Sequence, residues 1–201
     1  MAPCINLYNN QIYENGEDIW VNWSNMAPGA ILLPDLHKYS LLCGFLGDHV
    51  ETLHSTSDFY VCDSHKELID KTNEWIPPNT TFNICNIDHH HDTGYRSGDD
   101  NYTWQDIINS PGCGNWVSVL KNKYQNQFLS YVWLANENSD TNFLRGVSEH
   151  LGTYYTTTDI YELTSLQFDK IFICRSMSWV PIEYRYLFDA MVFLLEKIIN
   201  K

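Results

Sequence analysis

An apolar run that turns abruptly into five consecutive potential metal ligands constrains this chain more than any other feature. Phe82-Asn83-Ile84-Cys85-Asn86-Ile87 reads as a buried strand, and Asp88-His89-His90-His91-Asp92 follows it without a break. In extended backbone, residues i, i+2 and i+4 share a face. If the strand conformation persists, Asp88, His90 and Asp92 converge. Two carboxylates and an imidazole on one face suit a divalent cation. Without a cation, like charges that close repel. With one, the protein gains a Lewis acid and a source of hydroxide. The competing reading is a polar loop that happens to carry histidines.

The surrounding pattern alternates strand and helix. Phe59-Tyr60-Val61-Cys62 is a short apolar strand, and Asp63-Ser64 with Glu67 forms a capping-box pattern for a helix to about Trp75. Thr93 to Gly112 reads as a long polar loop, Gly114 to Lys123 as a helix, and Phe128 to Leu134 as a strand. Thr153 to Thr158 is rich in β-formers, Ile171 to Cys174 is a buried strand, and Glu183 to Ile199 is an amphipathic helix. This order predicts an α/β fold with a mainly parallel central sheet. Ligands of such sheets lie beyond the carboxyl ends of the strands. His65, the 88–92 run and Arg175 to Trp179 each follow a strand. Before residue 59 the pattern is weaker. Residues 5–23 alternate around Asn15-Gly16, a hairpin signal, and 24–57 read as irregular with room for a short helix. With no convincing linker, residues 1–201 read as one domain, of which 1–57 form the hairpin and irregular part.

His65 stands 23 residues before Asp88. If the two strands are parallel neighbours, their ends bring His65 within ligand distance. The alternative places His65 in the first turn of a helix capped by Asp63. Glu183 follows the last strand. It could grip a guanidinium bidentately, or simply favour the start of its helix. Asn136 to Asp140 is either a turn or a pocket wall. Asp48, His49 and His54 read as surface or structural residues, and the tryptophans as core or pocket wall.

Composition narrows the partners. The net charge of -13 argues against nucleic acid, which needs clustered Lys and Arg. It fits either simple solubility or a cationic substrate. No stretch of eighteen apolar residues exists, and no basic-then-apolar leader opens the chain. The six cysteines form no CxxC pair. A soluble, cytoplasmic protein that touches neither membrane nor nucleic acid is expected.

Ile87-Asp88-His89-His90-His91-Asp92 resembles the Asp-x-His-x-Asp metal motif of the arginase-like ureohydrolases. His65 matches the upstream histidine ligand of that superfamily. Cys113-Gly114-Asn115-Trp116 resembles the Ser-Gly-Asn segment that helps hold substrate. The pairing of Asp63-Ser64-His65 with the 88–92 motif is most similar to a small branch that includes the peptide arginases. The resemblance spans roughly residues 59 to 185. It implies a shortened three-layer sandwich of the arginase and deacetylase type and a site of one or two Mn2+ ions. It further implies His65, Asp88, His90 and Asp92 as metal ligands, with His90→Ala abolishing metal retention. Asp92, His91 and Glu183 are the implied catalytic residues, and Asn115, Asp140 and Glu183 the implied substrate contacts. The implied reaction is attack of metal-bound hydroxide on the guanidinium carbon of an arginine in a precursor peptide, giving ornithine and urea. The alternatives are a deacetylase-like hydrolase of the same fold and an inactive module that binds cationic peptides. The chain departs from arginases after Ile171-Phe172-Ile173-Cys174. Arginases carry two further Asp ligands there, and this chain has Arg175-Ser176-Met177-Ser178-Trp179. Val117 stands near where arginases place a proton-shuttling His.

Overall fold

The computed structural model describes residues 36–88, 90–94, 103–109, 111–135, 139, 148–175 and 185–201. The expected hairpin at 5–23, the residues His89, Asp140 and Glu183, and the segments 136–138 and 176–179 lie outside them. The described chain is mixed α/β, with parallel strands and flanking helices, and it is compatible with a shortened three-layer sandwich. It divides into two compact units, one built from residues up to Ser64 and from Gln167 onward, the other from His65–Leu166.

In the first unit, β1 (Phe59–Cys62) pairs in parallel with β5 (Ile171–Cys174), from Phe59↔Ile171 to Cys62↔Cys174. The amide of Arg175 extends this ladder to the Cys62 carbonyl at 2.9 Å. Helices α1 (Leu36–Val50) and α6 (Arg185–Ile199) pack together. Their core joins Val50, Met191 and Leu195 to Ile171 and Ile173. α1 corrects the irregular reading of 24–57 over its own fifteen residues. Tyr39, Cys43, Leu46 and Val50 recur at helical spacing and all reach this core. Two glycines of low helix propensity obscure that signal. One of them, Gly47, sits where an added Cβ would already touch the Ile198 side chain at 3.4 Å.

The second unit holds a three-stranded parallel sheet in the order β2 (Phe82–Ile87), β3 (Phe128–Leu134), β4 (Thr153–Thr157). Helix α2 (Lys66–Trp75) precedes it. Between β2 and β3 run α3 (Trp104–Asn109) and α4 (Trp116–Tyr124). A short helix α5 (Ser148–Leu151) leads into β4. Parallel strands need such crossovers. α4 is buried along five successive residues, Trp116 to Leu120.

Three local expectations change. The N-cap of α2 is His65, without a side-chain cap bond, so the Ser64/Glu67 capping box is not the one that starts the helix. The long polar segment after Thr93 contains α3. Its start is a capping box of another kind, in which Thr103 Oγ1 accepts from the Asp106 amide and Asp106 Oδ2 accepts from the Thr103 amide. Lastly, among the described residues β1 pairs with β5 and not with β2. Strand adjacency therefore does not explain how His65 reaches the 88–92 run. No described helix is long and apolar enough to cross a membrane.

Candidate metal centre

The site lies within the second unit, and the polypeptide from 88 to 94 builds it. β2 ends at Ile87. Asp88 Oδ1 then accepts the His90 amide at 3.2 Å, a local turn that breaks the extended alternation. Asp92 adopts φ +50, the left-handed region that Asp and Asn tolerate best among residues with a Cβ. Asp88 and Asp92 therefore meet because the chain curls, not because a strand continues.

His65 stands between them. Its Nδ1 lies 3.1 Å from Asp92 Oδ2, and its Nε2 lies 3.7 Å from Asp88 Oδ2. One ligand atom from each of His65, Asp88 and Asp92 falls within 4.8 Å of the others. Two carboxylates and an imidazole at that spacing fit a divalent cation, so this cluster can hold a metal ion.

His90 does not join the convergent set. Because the turn replaces the strand, the i+2 position loses its shared face. The ring remains near enough to favour the ionised form of Asp88. Its carbonyl accepts from Asn86 Nδ2 at 3.1 Å.

His91 points elsewhere. It is 1% exposed, and its ring meets Trp133 edge-on at 5.6 Å. Its Nδ1 accepts the Thr93 amide at 3.1 Å and lies 2.6 Å from Thr93 Oγ1. These contacts pack His91 against β3 and engage its Nδ1 with Thr93.

Asn115 is likewise committed. Its Oδ1 accepts the Gly112 amide at 2.7 Å, and its Nδ2 donates to the Ile107 carbonyl at 2.6 Å. This buried amide clamps the segment between α3 and α4. Arg175 belongs to the other unit, where its guanidinium lies 3.4 Å from Asp63 and 3.5 Å from Asp189.

The carbonyls of the loop are held one after another. Trp133 Nε1 donates to the Asp88 carbonyl at 2.9 Å, and Tyr131 Oη to the His91 carbonyl at 2.6 Å. The Val117 amide donates to the Asp92 carbonyl at 3.1 Å, and Ser118 Oγ to the Thr93 carbonyl at 2.7 Å. With Asn86 on His90, five carbonyls have fixed partners. Gly94 closes the curl at φ +102, its amide donating to Gly114, and a Cβ there would meet Ile107 Cγ2 at 2.9 Å.

Asn86, Tyr131, Trp133, Ser118 and Gly94 escape a reading of the sequence. For Asn86, Tyr131 and Trp133 the available signal is a polar group inside a strand that otherwise looks buried. A buried amide or hydroxyl needs a partner.

Burial pushes the Asp88 carboxyl up to about 6, the Asp92 carboxylate pushes the same way, and His65 and His90 oppose them. A carboxyl raised in the fold favours the protonated native state. Its contribution is fully present below the ordinary carboxylate pKa and is lost as pH rises toward 6. Asp88→Asn is therefore expected to stabilise the metal-free chain at pH 7 by on the order of 2 kcal/mol, and to change little at pH 3. Denaturation midpoints of both chains across this range test it. A variant equally destabilised at both pH values contradicts the strain assigned to Asp88.

Comparison with protein-family models found no match, and comparisons with curated proteins and with solved structures also returned none.

Proposed function

We propose that this chain is a manganese-dependent hydrolase of guanidino groups, acting on arginine side chains of a peptide to release urea and leave ornithine. The observation that carries the reading is the convergence of His65, Asp88 and Asp92 on one point. The resemblance of the 63–65 and 87–92 motifs to peptide arginases supplies the substrate class. The net charge of -13 suits a cationic peptide.

Asp88, Asp92 and His65 would hold the ion, and oxygen-rich donors with one imidazole favour Mn2+. When bound, a divalent cation supplies Lewis acidity and lowers the pKa of water. The chain's own contribution is geometric. Its pinned loop keeps both carboxylates in place, so little ordering remains to be done when substrate arrives. The six cysteines are scattered along the chain with no CxxC pair, which supports a reducing compartment such as the cytoplasm.

A second reading, a non-catalytic module that binds cationic peptides, draws on Arg175. It stands after β5, where arginases place Asp ligands, and it is engaged with Asp63 and Asp189.

The test is urea release from an arginine-containing peptide with added Mn2+, with metal content measured per chain. Release that needs the ion supports the hydrolase. Peptide binding without urea under any metal supports the module instead. Acetate from an acetyl-lysine peptide would point to a deacetylase.

A further inference from the structure

Trp116 is the first residue of α4 and only 3% exposed. Residues at that depth ordinarily present an apolar ring to the core. This one also aims its indole N–H at the candidate metal centre. Trp116 Nε1 donates to Asp92 Oδ2 at 2.7 Å, across 24 residues of sequence. Its ring lies 6.0 Å from the His65 imidazole, centroid to centroid. One side chain therefore touches two of the three convergent residues.

The backbone reinforces this. The amide of Val117, the next residue, donates to the carbonyl of Asp92. The start of α4 thus grips Asp92 at both ends, carboxylate and main chain. A carboxylate has several lone pairs, and a fixed donor on Oδ2 leaves the others to face the ion. Outer partners of this kind orient ligands, and their loss typically costs metal affinity.

We propose that Trp116 is a positioning residue that fixes the rotamer of the Asp92 carboxylate, so that divalent-cation affinity depends on its indole N–H. This rests on the metal-binding reading of His65, Asp88 and Asp92.

Trp116→Phe removes the donor and keeps an aromatic ring. Titration calorimetry with Mn2+ is expected to show affinity weakened about 10- to 100-fold. The Co2+-loaded variant should show a shifted visible absorption spectrum, a signature that a purely structural role would leave unmoved. Affinity within threefold of the native chain, with an unchanged Co2+ spectrum, overturns the proposal even if the melting temperature falls. Should Trp116→Phe fail to fold, the native chain still decides the matter. In a 15N–1H spectrum, the assigned Trp116 indole N–H must shift on addition of Zn2+, and a resonance that stays put overturns the proposal. Absence of any ion binding by the native chain would instead overturn the metal reading beneath it.

Discussion

Asp92→Asn is expected to remove divalent-cation binding almost completely while leaving the metal-free fold intact. Three observations make this a clean substitution. Asp92 sits at φ +50, and Asn tolerates that region as well as Asp does. The amide oxygen can still accept from Trp116, which now bonds Oδ2 at 2.7 Å. Among the described residues, the lost charge is one of the two carboxylates that converge with His65. Removing a ligand should cost more than the 10- to 100-fold typical of an outer partner, so Mn2+ affinity should fall by more than about 100-fold. Urea release should fall with it. Metal content per chain and a calorimetric titration check the first point, and a melting curve without metal checks the second. Retention of Mn2+ at native affinity would show that Asp92 is not a ligand. By the same geometry, His65→Ala should behave like Asp92→Asn. His90→Ala should be the milder change, because its ring stands outside the convergent set. That reverses the ranking drawn from strand alternation alone.

Trp133→Ala should produce the largest loss of stability. Trp133 is fully buried on β3, meets His91 edge-on, and bonds the Asp88 carbonyl. Truncating a buried tryptophan typically costs about 3–5 kcal/mol. That is a large share of the roughly 5–15 kcal/mol that holds a domain together. The Asp88 carbonyl would also lose its donor. Urea unfolding should show a much lower midpoint, and a loss under about 1 kcal/mol would contradict this packing. Trp133→Phe separates the two contributions. It keeps most of the buried area and gives up the hydrogen bond, for about 1 kcal/mol. Its metal affinity should weaken as well, since Asp88 would no longer be tied to β3.

The strands were legible because each is a short, continuous apolar run between polar punctuation. Phe82–Ile87, Phe128–Leu134 and Ile171–Cys174 fall where their composition places them. Sheet partners were less legible. Nothing in Phe59–Cys62 announces that it pairs with a strand more than a hundred residues away. His65, Asp88 and Asp92 converge for a reason that strand alternation does not supply. Alternation along an extended strand predicts His90 at the centre of the set, whereas the chain turns at Asp88 and enters left-handed backbone at Asp92. Turn geometry of that kind depends on partners far along the chain, such as Tyr131 for His91 and Ser118 for Thr93. Asn115 shows the same limit from the other side. Its motif is visible in the sequence, but the bonds by which it holds Gly112 and Ile107 are not.

The pinned loop has a consequence for anyone who would move this site to another protein. Residues 88–94 carry two of the three convergent side chains, yet they would not reproduce the site as a cassette. The curl is written in Asn86 of β2, Tyr131 and Trp133 of β3, and Val117 and Ser118 of α4. A transplant without these five donors would carry two of the convergent side chains and lose the shape, so the smallest portable unit is two strands and a helix together with His65 at the start of α2.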